Sequence, residues 1–430
     1  MHPRELKILM ELVRQTADLS EEEYGLAEDI LDNLGPNRLV LANRAAKESG
    51  FIERLQEHYE TERKRQLKVM DAMLTTRKIP TDRQDQLKDT YEELKELEFG
   101  LGKLDIKDHN NNEIYVRSFS NVRGRHVDLI GLIGWDTLHA DLKEVQLMGD
   151  MLLRAGVEKV DLYLPYMPYQ REDKKDEGRV PIAAKQIFND IKSAFQDKLE
   201  RLVTFELHAP QSQGYLDIPV DHLNCNNLFA NYVLSDHFQE KYAGKEFVVV
   251  SPDVGHAKYA KKFAELLGVD YVIIDKGRET HGEASVNDRN IEAQVKNKIC
   301  LMTVDMCDTG GTLINAYNNI MSYGAAGVVA MAGHAIFSPK TDGIPVEQKF
   351  KECGIHVVVT DTLPRFTPEH YKENEDWLTV LTVTKKLAKV MIANRLNSSV
   401  GAVIDRNRSN IYRTREKEER MYIEDVVVEV

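Results

Sequence analysis

The 430-residue sequence holds only four cysteines, Cys225, Cys300, Cys307 and Cys353, and none forms a CxxC pair. That excludes a disulfide framework and a cysteine-ligated zinc site, and it fits a reducing compartment. No apolar run approaches the roughly 20 residues that cross a bilayer, and the start, Met1-His2-Pro3-Arg4-Glu5, lacks the pattern of a signal peptide. The expected location is cytoplasmic, with no membrane partner. Excess positive charge is missing too: the net charge is −13. A general nucleic-acid-binding surface is therefore disfavoured, although an acidic protein can still build a local basic pocket for phosphates. There is no G-x-x-x-x-G-K-[ST] run, so a P-loop kinase is not supported. The hydrophobic fraction of 42% and charged fraction of 30% are those of a globular protein, and the length provides for two or three domains with buried cores.

The first third of the chain reads as helical. Residues 1–37 carry Leu6, Leu9, Leu12 and Val13 on one stripe, then Ser20 and Glu23 as a capping box before Gly35-Pro36. Arg38 to Ala42 reads as a short strand. Residues 51–98 place Leu67, Met70 and Leu74 on one face, break at Pro80, and resume with Leu87, Tyr91 and Leu94. This predicts a helical hairpin packed on a partner or subunit surface. Beyond about residue 100, short runs rich in Val, Ile and Leu alternate with helical segments, the pattern of buried parallel sheets in an α/β protein. They fall at Val127–Gly134, Val160–Pro165, Leu202–Glu206, Glu246–Val250, Tyr271–Ile274, Ile299–Val304, Gly327–Ala332 and His356–Thr360. A faint repeat, Arg154 to Val160 against Ser322 to Val328, is what two similar domains in tandem would give.

The most informative stretch is Thr303 to Thr312, T-V-D-M-C-D-T-G-G-T. An apolar strand feeds it and a helical pattern (Leu313, Ala316, Tyr317, Ile320) follows. Gly310 and Gly311 let backbone N–H groups turn around an anion, and the next helix offers its positive N-terminus to the same anion. Asp305, where the strand is expected to end, is suited to sugar hydroxyls. Together they suggest a ribose 5-phosphate site; an ordinary strand–helix turn is the plainer alternative.

Further motifs resolve that choice. They are Leu101-Gly102-Lys103 leading to Glu113, Asn121-Val122-Arg123-Gly124, and Pro165-Tyr166 through Arg171, Asp173 and Lys175. Next come Glu206-Leu207-His208-Ala209, Ile218 to Leu223, Ser251-Pro252-Asp253-Val254-Gly255, Ile274-Asp275-Lys276 with Arg278, and Thr360 to Pro364. In this order the chain resembles the ribose-phosphate diphosphokinases, the phosphoribosyl pyrophosphate synthetases, over roughly residues 99–400. The resemblance implies two tandem phosphoribosyltransferase-type α/β domains with parallel sheets flanked by helices. The division would be a helical extension at 1–37, an N-terminal domain at 38–225 with the insertion 51–98, a C-terminal domain at 226–405, and a tail at 406–430 that adds an edge strand or stays disordered.

The implied reaction moves the β,γ-diphosphoryl group of ATP to the anomeric hydroxyl of ribose 5-phosphate, releasing AMP, with Mg²⁺ bridging phosphate oxygens. By resemblance His208 and Asp253 lie at the metal–ATP site. Lys276, Arg278 and His208 act on the transferring group. Arg171, Glu172, Asp173, His109, Asn111, Glu113 and His208 contact ATP. Asp308, Thr309, Gly310, Gly311 and Thr312 cradle the 5-phosphate, and Asp305 takes the ribose hydroxyls. The family assembles as dimers and hexamers whose ATP site draws on a neighbouring subunit, so a homo-oligomer is expected.

Three departures from the family's pattern touch both substrates. Val304 stands where the first of two adjacent acids is usual. His109-Asn110-Asn111-Asn112 replaces the segment that helps hold adenine. Glu172 replaces a glutamine between Arg171 and Asp173. Three alternatives follow: a larger acceptor with a ribose 5-phosphate end, such as ADP-ribose; a non-catalytic regulatory subunit; or a phosphoribosyltransferase, which would leave the ATP-side motifs unexplained.

Overall fold

The computed structural model describes residues 38–401 apart from 76–80, 253–254, 275–285, 339–343 and 366–367. The helices expected in residues 1–37 and the tail 406–430 lie outside the described residues.

The short aliphatic runs form two parallel sheets. Strands β1 (Arg38–Ala42), β4 (His126–Ile130), β5 (Lys159–Tyr163), β6 (Leu199–Phe205) and β7 (Val220–Leu223) lie in that order in the first. The second contains β8 (Phe247–Ser251), β9 (Tyr271–Ile273), β10 (Ile299–Cys307), β11 (Gly327–Ala335), β12 (His356–Thr360) and β13 (Leu378–Leu381), ordered β13-β12-β11-β10-β8-β9. The expected α/β class with helix-flanked parallel sheets is what the molecule has. An antiparallel hairpin, β2 (Leu104–Asp108) and β3 (Ile114–Ser118), stands apart from both sheets.

The helical hairpin is present as Phe51–Thr75 and Thr81–Glu96. The expected partner surface is, for its inner face, the chain itself. Phe51, Ile52, Leu55, Tyr59 and Leu94 are buried in one core with Val40 of β1 and with Val390 and Met391 of the helix Thr384–Arg395. An ion pair anchors that last helix. Arg395, fully enclosed, donates from Nε to Asp128 Oδ2 at 2.8 Å and from Nη1 to the Tyr59 hydroxyl at 2.8 Å. Chain segments far apart in sequence thus pack together beside the first sheet.

Candidate active site

The site forms where the carboxyl ends of β6 and β10 meet, the usual place for a ligand on open α/β sheets. Beyond β6, Glu206 turns the chain with φ +39°, a sparsely populated conformation for a non-glycine residue, and carries it to His208. β10 runs past its expected end at Asp305, because Met306 and Cys307 continue to pair with His334 and Ala335 of β11. His208 Nδ1 lies 2.5 Å from Asp305 Oδ2. A carboxylate only accepts, so Nδ1 carries the proton and Nε2 is left for a ligand. Met306 N–H donates to Asp305 Oδ1 at 2.8 Å, and His256 Nε2 stands 3.7 Å from the same oxygen. Burial works to raise the Asp305 pKa, but the two imidazoles hold it well below the usual carboxylate range. In return, the hydrogen bond to Asp305 raises the His208 pKa against the opposing effect of burial.

The phosphate-type loop follows. Gly310 sits at φ +69° as the cap of the helix Gly311–Ser322. A Cβ there would come within 2.4 Å of Val346 Cγ2 and 2.8 Å of Phe350 Cζ, so glycine alone satisfies both the backbone and the packing. Thr309, Gly311 and Thr312 flank it at the positive end of the helix, with Thr312 exposed. Asp308 Oδ2 meets Arg171 Nη1 at 2.5 Å, while Asp308 Oδ1 is buried without a hydrogen-bond partner. Arg171 comes from the loop after β5, so this pair joins that loop of the first sheet to the glycine-containing loop after β10 of the second. Glu172 is exposed and its backbone carbonyl accepts from Ala184 N–H at 3.1 Å. Asp173 is half-buried, its carbonyl accepting from the Tyr215 hydroxyl at 2.6 Å.

Beneath the site runs a polar seam between the sheets. Glu206 is buried, and its Oε1 accepts from the Tyr259 hydroxyl at 2.6 Å and from Cys225 N–H. Burial pushes its pKa up to about 7. His334 is fully buried on β11; its Nδ1 meets Thr362 Oγ1 at 2.8 Å and its Nε2 meets the Phe205 carbonyl at 3.2 Å. Gly333 permits this approach, since a Cβ would lie 2.4 Å from Glu206 Cγ and 2.7 Å from the Asp305 carbonyl oxygen. Sequence reasoning assigned no role to Glu206, His256, Tyr259 or His334. A histidine inside the aliphatic run Val328–Ala335 was the available signal, because a buried polar residue there needs partners.

The remaining expected residues are distributed differently. His109, Asn111 and Glu113 are exposed at the β2–β3 turn, where His109 N–H donates to the Glu113 carbonyl at 2.8 Å and Glu113 N–H to Asn111 Oδ1 at 3.3 Å. Their contacts close the hairpin's own turn. Val304 is buried in the apolar core of the second sheet. Lys276, Arg278 and Asp253 lie outside the described residues. Among the described residues, His126, Asp128 and Asp161 bring three potential metal-ligand atoms within 4.8 Å of one another, but on β4 and β5, away from His208. Arg38 lies 3.5 Å from Asp128 and 3.4 Å from Asp161, and Arg395 pairs with Asp128, so the two carboxylates already face two guanidinium groups.

The family model described as the N-terminal domain of ribose phosphate pyrophosphokinase matches residues 86–194, and the phosphoribosyl transferase domain matches residues 223–360. A ribose-phosphate pyrophosphokinase from Hyphomonas neptunium is 35% identical over 311 residues, covering 72% of this chain and 94% of that protein. The chain belongs to the ribose-phosphate pyrophosphokinase family. A chloroplastic ribose-phosphate pyrophosphokinase from Arabidopsis thaliana is 36% identical over 70% of this chain and 72% of that protein. The crystal structure of phosphoribosylpyrophosphate synthetase from Mycobacterium smegmatis superposes with a TM-score of 0.61 at 31% identity, covering 84% of this chain and all of that one. The two sheets are therefore those of a pyrophosphokinase with two phosphoribosyltransferase-type domains. Among the described residues no helix is long and apolar enough to cross a membrane.

Proposed function

We propose that the chain transfers the β,γ-diphosphoryl group of ATP to the anomeric hydroxyl of ribose 5-phosphate, giving 5-phosphoribosyl 1-diphosphate and AMP. The observation that carries this reading is the meeting of the two half-sites. His208 and Arg171, from the first sheet, touch Asp305 and Asp308, from the second, at 2.5 Å each. An ATP phosphate chain bound beside Arg171 and His208 would then lie next to a sugar held by Asp305 with its 5-phosphate at Thr309–Thr312. Such positioning supplies much of the acceleration in phosphoryl transfer.

His208, its pKa raised by Asp305, suits an imidazolium whose Nε2–H donates to a polyphosphate oxygen. The residues also fit a divalent cation: the buried, unpartnered Asp308 Oδ1 is a hard oxygen donor beside the expected phosphates. His208 and Asp253 are the residues assigned to hold Mg²⁺, which would neutralise charge on the transferring group. Lys276 and Arg278 are assigned to the same charge. The exposed turn carrying His109, Asn111 and Glu113 suits a contribution to the ATP site of a neighbouring copy, consistent with a homo-oligomer.

Product identification by mass spectrometry tests the reading, with Mg²⁺ and ATP present and ribose 5-phosphate or ADP-ribose offered separately. The expected result is AMP and phosphoribosyl diphosphate from the first acceptor, abolished in Lys276→Ala. AMP with ADP-ribose alone would reassign the acceptor, and AMP from neither would reject the activity.

A further inference from the structure

We infer that His222 is a positioning residue: its ring accepts the Leu207 N–H and so fixes the backbone turn that presents His208 to the transferring group; this rests on the proposed diphosphoryl transfer. The turn needs such support. β6 stays in register with β7 as far as Phe205 opposite Leu223, and the Glu206 N–H still donates to the Leu223 carbonyl at 2.8 Å. Glu206 then takes φ +39°, a conformation that persists only where its surroundings hold it. Three successive backbone groups are held there by side chains from separate elements. The Glu206 carbonyl meets His334 Nε2 of β11 at 3.3 Å. The Leu207 N–H, past the last rung of the ladder, donates to His222 Nε2 of β7 at 2.9 Å. The His208 N–H donates to Gln170 Oε1, from the loop after β5, at 2.8 Å.

Of the three side chains, His222 is the one whose effect can be read apart from the substrates. Gln170 adjoins Arg171, and His334 lies in the seam against Thr362. His222 belongs instead to the stretch Ile218–Leu223, which holds no residue assigned to a substrate. Its acceptor role fixes the state of the ring: a nitrogen that accepts an N–H carries no proton, so the proton sits on Nδ1. Burial, aided by the charge of Lys386, lowers the His222 pKa to about 4 and keeps the ring neutral. The Leu207 side chain is buried in the core of the first sheet, and an amide left without an acceptor in such a place is costly. The chain would shift to satisfy it, one residue before the His208 contact with Asp305 at 2.5 Å. Phosphoryl transfer depends on that kind of placement.

The test has two arms. Long-range proton–nitrogen NMR of histidine-labelled wild type reads the tautomer of His222, its signal assigned by its loss in His222→Gln. The Nδ1–H form is expected, and an Nε2–H form overturns the inference whatever the activity. The second arm measures kcat, KM for ribose 5-phosphate and KM for ATP in wild type, His222→Leu, which removes the acceptor, and His222→Gln, whose side-chain carbonyl reaches the same N–H. His222→Leu is expected to lower kcat about tenfold, to leave both KM values within about threefold, and to be largely rescued in His222→Gln. Equal losses in the two variants, or a loss that falls on KM alone, overturn the inference while the proposed activity stands. Should His222→Leu not fold, the wild-type tautomer and a kcat near wild type in His222→Gln decide in its favour, and failure of either decides against it. Wild-type protein with the Nδ1–H form that makes no AMP rejects the proposed reaction, and with it the role of His222 in that reaction.

Discussion

At the scale of single residues, Asp305, Gly310 and Arg171 separate charge, shape and contact. Asp305→Asn preserves shape but removes the charge that favours the His208 imidazolium. Hydrogen bonds to charged groups contribute about 1.5–3 kcal/mol, so kcat/KM for ribose 5-phosphate should fall roughly 10- to 100-fold in steady-state assays. Gly310→Ala meets two obstacles, a left-handed backbone and a Cβ position 2.4 Å from Val346 Cγ2. Overpacking and strain each cost about 1–3 kcal/mol, and both should appear as a lowered urea midpoint with a raised KM for ribose 5-phosphate. Arg171 behaves otherwise. Its side chain is 54% exposed, so the pair with Asp308 contributes little to folding. Arg171→Ala should leave the unfolding free energy from urea titration within about 0.5 kcal/mol of wild type while KM for ATP rises. A stability loss equal to that of Gly310→Ala would show that the pair is structural.

At the scale of elements, the clearest dependency is the helix Thr384–Arg395 on the strand β4. Arg395 and Asp128 are both 0% exposed at the side chain, so cutting Arg395 leaves a buried carboxylate whose nearest remaining guanidinium among the described residues is that of Arg38 at 3.5 Å. Arg395→Met should cost about 3 kcal/mol or more by urea unfolding, and Arg395→Met with Asp128→Leu should recover much of it. This contact spans 267 residues, which is why the sequence offered no sign of the partner of Arg395. The same reasoning explains what else was legible. β1 and β12 could be read to the residue, because their aliphatic runs are bounded by polar residues and bury on both faces. The β2–β3 hairpin could not, since Leu104–Asp108 and Ile114–Ser118 are half-exposed and mix charge into the strand pattern. Asp305, Asp308 and Gly310 could be singled out because a strand–loop–helix turn with a glycine pair is local in sequence. Glu206 with Tyr259, and His334 with the carbonyl of Phe205, were not, because each joins residues that only the meeting of two sheets brings together.

At the scale of the whole molecule, buried titratable groups set the pH range of stability, and they do not all act in one direction. Burial lowers His356 to about 3 and His334 to about 4. Each stays neutral when folded but protonates in the unfolded chain below about pH 6.5, so each favours unfolding as pH falls through that value. Glu206, raised to about 7, opposes them: it is protonated when folded and ionised when unfolded, so it favours the folded state as pH falls from about 7 toward 4.5. His222, also lowered by burial to about 4, acts with the two histidines, so the wild-type slope mixes opposing contributions and a variant is needed to expose one of them. His356 lies outside the candidate site, between the Tyr242 hydroxyl and Thr379 Oγ1, each at 2.9 Å. His356→Gln removes the titration and retains a hydrogen-bonding side chain. Between pH 6.5 and 5, the stability of wild type relative to His356→Gln should fall by about 1.4 kcal/mol per pH unit, roughly 2 kcal/mol in all. Urea unfolding of both proteins at several pH values measures the difference directly, and parallel pH profiles would mean that the native imidazole accepts a proton in place.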